Sequence, residues 1–147
     1  MPIVKVKKLK DSAIMPEYKT SGASGFDLSA AETLEIPPNS TGLVSTGLAM
    51  EIPQGHEIQI RPRSGISLKT PLKVLLGTLD ADYRGPIGVI VYNASNTPQK
   101  VLEGTRIAQG VLQAVPQANF ELVTELSETV RGEGGFGSTG NVNEPQK

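Results

Sequence analysis

Along this chain of 147 residues, apolar positions alternate with polar ones far more often than they recur at a helical interval. Glu57-Ile58-Gln59-Ile60-Arg61 alternates strictly, the pattern of a strand with one face on a core and the other in water. Ile87 to Tyr92 is almost continuously apolar and predicts a strand covered on both faces. Further strands are predicted over 3–8, 25–30, 43–51, 72–76, 100–102, 106–113 and 120–124. Prolines at 38, 53, 62, 71, 86, 98 and 116, with glycines between them, leave little room for a long helix. The best helical stretch is a turn or two after Ser64, in GISLKT, and residues 121–130 fit either period. Val, Ile and Thr together number 33, which favours strands further. Many short strands at this spacing predict an all-β sandwich or jelly roll with at most one short helix.

The last stretch has a different character. RGEGGFGSTGNVNEPQK, residues 131–147, holds five glycines between 132 and 140 and almost nothing to bury. It predicts a flexible arm behind a β-domain spanning 1–130.

Charge and cysteine usage narrow the chemistry. The 14 Lys and Arg nearly cancel the 15 Asp and Glu, leaving a net charge of −1. That balance argues against nucleic acid as a partner but permits a locally arranged small anion. With no cysteine and a single histidine, His56, thiolate zinc sites, disulfide frameworks and multi-histidine metal sites are excluded. His56 reads as a turn residue without a role. No apolar run approaches the ~18–20 residues of a membrane span, and MPIVKVKKLK lacks the apolar core of a signal peptide. The expectation is a cytoplasmic protein with no membrane partner.

Several segments could carry chemistry, each with a plainer reading beside it. Gly132, Gly134 and Gly137 spell GxGxxG, but the dinucleotide fingerprint needs a strand before it and a helix after it. What remains is a glycine-rich chain whose N–H groups can converge on an anion, with Ser138 and Thr139 as hydroxyls. Arg131 adds a five-donor fork, and Phe136 a ring that a nucleobase could cover. The plainer reading is a solvated tail with a stray Phe. Asp80 and Asp82, two apart in LDADYRG, would share a face of an extended chain as a metal ligand or a water-activating base. An acidic hairpin tip explains them equally simply and is favoured for the motif alone. Arg61-Pro62-Arg63-Ser64-Gly65 opens the predicted helix, and Arg63, the Ser64 hydroxyl and backbone N–H groups there could bind phosphate. A helix cap with solvated arginines is the alternative. Asp27 and Gln109 are polar residues beside apolar strand positions, undiagnostic singly.

Taken in order, five segments closely resemble the five motifs of the homotrimeric dUTPase family: SGFDL (24–28), RPRSG (61–65), GTLDADYRG (77–85), GTRIAQ (104–109) and RGEGGFGSTG (131–140). The resemblance covers nearly the whole chain, and its third and fifth motifs are highly specific. It implies a dUTPase-like jelly roll, a distorted barrel or sandwich, assembled as a homotrimer with active sites at subunit interfaces. It implies hydrolysis of dUTP to dUMP and pyrophosphate with magnesium (Mg2+). Carried onto matching positions, Asp80 resembles the general base, Tyr83 the ring packed on deoxyribose, and the backbone around Gly77 the reader of the uracil edge. Asp27 resembles the carboxylate that orients magnesium-bound waters. Arg63, Ser64, Gly65 and Gln109 resemble phosphate-side groups, while Arg131, Phe136, Gly137, Ser138 and Thr139 resemble the closing arm. Thr105, Gly110 and Leu79 depart from common family forms at positions with no proposed chemistry. Two rivals differ in class: a dCTP deaminase-like enzyme of the same fold, told apart by ammonia rather than pyrophosphate release, and a dUTP-binding regulatory module, told apart by absence of turnover.

Overall fold

The computed structural model describes residues 1–140, and the alternating, β-branched segments there form eleven strands. They are β1 (Lys5–Lys8), β2 (Phe26–Ser29), β3 (Leu34–Ile36), β4 (Thr41–Ser45), β5 (Leu48–Glu51), β6 (His56–Arg61), β7 (Leu72–Val74), β8 (Gly77–Leu79), β9 (Gly88–Asn93), β10 (Gln99–Val101) and β11 (Arg106–Ala114). One short helix, α1 (Ser64–Lys69), follows Arg63 directly, as predicted. Among the described residues no helix is long and apolar enough to cross a membrane.

All pairings are antiparallel. One sheet runs β2-β11-β6-β8 and a second runs β4-β9-β7, with β1-β5 and β10-β3 as two-stranded pairs. Inward residues of the first sheet (Leu28, Ile58, Ile60, Ile107) and of the second (Val44, Leu72, Val89, Val91) meet in one core with Ile36, Leu48 and Val101. Each such aliphatic side chain contributes about 1.5–3 kcal/mol by leaving water. The result is the expected all-β, jelly-roll-like sandwich, with no closed barrel among the described residues. At its edge Lys5 Nζ donates to Glu51 at 3.0 Å, and that bond and charge hold the Glu51 carboxyl below its ordinary range.

Local departures from the sequence reading have physical causes. The predicted strand over 43–51 is two strands, broken at Thr46-Gly47. Gly47 has φ +65°, and the buried Thr46 hydroxyl donates to Ile87 O at 2.7 Å. β3 was not foreseen, being three residues long and followed by two prolines. β9 is covered on one face only: Val89 and Val91 are buried, while Ile90 is 42% exposed and pairs across the sheet with Leu43, 63% exposed. His56 closes the turn, its N–H donating to Pro53 O at 3.2 Å, and also opens β6. The predicted strand over 120–124 is absent. Phe120 and Leu122 alternate as a strand should, but they stand 97% and 100% exposed, without the partner strand that a ladder requires.

The compact unit spans Met1–Gln117, and residues from Ala118 onward form a second unit. In its described part, 118–140, backbone bonds close turns from Gly134 to Arg131, Ser138 to Gly135 and Gly140 to Gly137. Of the 131–147 arm, residues 141–147 lie outside the described residues.

One buried polar group ties the sandwich's loops. Asn93, fully buried, donates through Nδ2 to Thr97 O (2.8 Å), Ile36 O (3.1 Å) and Pro37 O (3.2 Å) and accepts from Ser95 N and Oγ. Asn93→Ala strands those carbonyls and is expected to cost about 2–4 kcal/mol, read as a lower urea midpoint. A loss below about 1 kcal/mol would contradict this role for the network.

Candidate active site

β11 sits between β2 and β6, so residues on three strands line up across it. Gln109 pairs with Asp27 on one side and with Arg61 on the other. The Gln109 side chain donates to Pro62 O at 2.9 Å and so holds the turn leading into Arg63. Gly25 makes room for that side chain, since a methyl group at Gly25 would collide with Gln109 Oε1.

A bulge then re-aims β11. The register slips between Arg106 and Ala108, so Ile107 is an extra residue against β2. Ile107 and Ala108 are consecutive yet both fully buried, which turns Arg106 outward. The Arg106 guanidinium meets Asp27 Oδ2 at 3.2 Å, while Arg63 Nε meets Asp27 Oδ1 at 3.2 Å. Arg63 also donates to Arg106 O at 3.0 Å. One carboxylate, 14% exposed, is thus shared by two guanidiniums that keep contact with water. Lys19, Ser64, Gly65 and Gln109 complete the wall of a cleft of about 320 Å³. Lys19 is paired with Glu17 at 2.8 Å, so the cleft's excess positive charge comes from two guanidiniums against the single Asp27 carboxylate, an arrangement suited to an anion.

Asp80 is elsewhere. Leu79 pairs with Ile58, whereas Gln109 pairs with Arg61, three residues along β6. At strand rise those pairings are about 10 Å apart, and Asp80 lies one step beyond. It lines a separate cleft of about 580 Å³ with His56, Glu57, Asp82 and Pro116. The two clefts share no lining residue. The turn after Asp80 is closed by Tyr83 N donating to Asp80 O at 3.2 Å, and Tyr83 Oη donates to Pro86 O at 2.8 Å. Gly77 belongs to β8, the sheet's edge strand, whose outer backbone groups have no neighbouring strand among the described residues.

In the second unit, Arg131 Nε donates to Gly134 O at 2.7 Å, and Phe136 (φ +50°) precedes Gly137 (φ +85°). Phe136, Ser138 and Thr139 are exposed.

The structure thus brings Asp27, Arg63, Ser64, Gly65 and Gln109 together and sets Asp80, Tyr83 and Gly77 at a different edge. Sequence reasoning passed over Arg106 and Lys19. Arg106 stands inside the GTRIAQ segment, but its contact with Asp27 depends on the bulge, which no spacing rule reveals. Among the described residues there is no cluster of three or more acidic or histidine side chains placed to hold a metal. Asp27 could serve only through its remaining lone pairs.

An antiparallel sandwich carrying a guanidinium-lined anion cleft and a distant exposed carboxylate defines the class: an all-β protein built to handle a phosphorylated ligand. The protein-family model described as dUTPase matches residues 11–140. The deoxyuridine 5'-triphosphate nucleotidohydrolase of Gloeothece citriformis is 52% identical over 139 residues, covering 93% of this chain and 96% of that protein. That of Crocosphaera subtropica is 50% identical, with 93% and 98% covered. Among solved structures, Staphylococcus bacteriophage 80alpha dUTPase with dUPNHPP superposes with a TM-score of 0.90 at 29% identity, over 95% of this chain and 99% of that one. A mutant dUTPase from phage phi11 of S. aureus, described with a coordinated structural Mg(II) ion, gives 0.79 at 26% identity, over 84% and 97%. The chain belongs to the dUTPase family.

The shared carboxylate has a measurable consequence. Asp27→Asn keeps the shape and removes the charge between two guanidiniums. Because both arginines retain solvent, the expected loss is about 1–2 kcal/mol, read as a lower urea midpoint at unchanged slope. A wild-type midpoint would contradict the pairing.

Proposed function

We propose that this chain hydrolyses dUTP to dUMP and pyrophosphate as a homotrimer in the cytoplasm, limiting uracil in DNA and supplying dUMP for thymidylate synthesis. The separation of Asp80 from the Asp27–Arg63–Arg106 cleft carries the assembly part of this reading. In-line attack requires a base, a water and phosphate donors around a single phosphorus, within a few ångströms. Clefts about 10 Å apart along one strand do not meet that need within one chain. A cyclic assembly does, by setting the Asp80 edge of one copy against the guanidinium cleft of the next.

In this reading Asp80 takes a proton from the attacking water. Arg63, with Ser64, Gly65 and Gln109 beside it, holds phosphate oxygens where charge develops. The free edge of β8 around Gly77 offers backbone donors and acceptors to the uracil edge. Tyr83 packs on the deoxyribose and leaves no room for a 2′-hydroxyl. Arg131, Phe136, Gly137, Ser138 and Thr139 form a flexible arm that closes over base and γ-phosphate. Magnesium binds few protein atoms when phosphates and waters complete its shell, so it needs no carboxylate cage, and none is present among the described residues; Asp27 would hold such waters. When bound it supplies charge neutralisation on the triphosphate.

Asp80→Asn keeps the side chain's shape and removes its basicity. The expected result is a fall in kcat of about 10²–10⁴ with binding of a non-hydrolysable dUTP analogue retained. Near-normal turnover in the folded variant would remove Asp80 from the role of base.

A further inference from the structure

The loop that carries Asp80 also carries an exposed aromatic ring in a fixed pose. Tyr83 is 44% exposed, yet its hydroxyl is tied to Pro86 O at 2.8 Å and its backbone N–H to Asp80 O at 3.2 Å. Between ring and backbone lies Gly85. A methyl group there would collide with Tyr83 Oη and lie 2.6 Å from Cζ and 2.8 Å from Cε2. Real carbon contacts do not come that close, and the obstacle is the phenol end of the ring, which its hydroxyl ties to Pro86 O. Gly85 is not among the left-handed glycines, so backbone conformation alone does not demand glycine here.

The opposing backbone is held in place. The buried Ile87 donates its N–H to Leu48 O at 2.8 Å, and its carbonyl accepts from Thr46 N (3.1 Å) and Thr46 Oγ1 (2.7 Å). A side chain at 85 therefore displaces the ring and breaks its bond to Pro86 O. The turn that carries Asp80 is closed by its own backbone bond and by Arg84 Nη1 on Ala81 O at 2.6 Å, neither of which involves the ring.

We infer that Gly85 is a specificity-determining positioning residue: by leaving space for the Tyr83 ring against the backbone, it sets the surface that separates deoxyribose from ribose. This rests on the reading of Tyr83 as the sugar-packing ring. It goes beyond that reading by assigning the discrimination to the space at 85 as well as to the ring.

The test compares kcat/KM for dUTP and UTP in the wild-type protein, Gly85→Ala, Tyr83→Ala and the double variant, each with its thermal melt. Gly85→Ala is expected to lower the dUTP/UTP ratio by at least about tenfold, mostly through dUTP, as Tyr83→Ala does. In the Tyr83→Ala background the same change should move the ratio by less than about twofold, because no ring remains to displace. If Gly85→Ala fails to fold while the double variant folds, ring collision is confirmed as the reason for glycine. If neither folds, or if Gly85→Ala shifts the ratio equally with and without Tyr83, glycine serves the backbone and the inference falls. A ratio lost in Tyr83→Ala but intact in Gly85→Ala overturns the role of Gly85 alone. A ratio untouched by Tyr83→Ala overturns the sugar-packing reading and this inference with it.

Discussion

The pairing of β11 with both β2 and β6 is the constraint on which the rest depends. It sets Asp27, Gln109 and Arg61 in one row across three strands. The bulge at Ile107 then brings Arg106 onto the carboxylate that Arg63 already holds. A stretch of β11 without the bulge would leave Arg106 pointing at the core, where an unpaired guanidinium is not tolerated. The anion cleft is thus a product of register as much as of residue choice.

The same sheet keeps Asp80 and the guanidiniums apart. β8 pairs with Ile58–Ile60 of β6 and runs away from Arg61 toward Asp80, so Asp80 and the guanidiniums are held by one sheet and cannot approach each other without breaking ladder bonds. Rigid placement on strands suits a site in which two surfaces must meet with precision. In the proposed trimer each copy then contributes two half-sites, and dissociation would switch activity off without unfolding a chain.

Much of this was legible in the sequence because strands report themselves through alternation. The 57–61 segment gave β6, and the β-branched runs gave the sandwich. What stayed hidden depended on tertiary partners. Ile87–Tyr92 looked doubly buried, but nothing in an apolar run says that Ile90 and Leu43 stand outward together. Phe120 and Leu122 alternate without forming a strand because alternation does not supply a partner. The motif resemblance pointed to Asp27, Arg63 and Gln109, and the structure adds how they are joined. The contact of Arg106 with Asp27 and the room at Gly25 and Gly85 were invisible, since they arise from a bulge and from two close approaches rather than from residue type.

The central claim is that a working site combines the Asp80 edge of one copy with the Arg63 cleft of another. Its most direct test co-refolds equal amounts of Asp80→Asn and Arg63→Ala chains, each nearly inactive alone, with mixed trimers verified by native mass spectrometry. Activity should recover at about a quarter of sites, the fraction in which random cyclic mixing joins an intact Asp80 to an intact Arg63. Mixed trimers that remain inactive would show that both groups act within one chain, and would contradict the shared site.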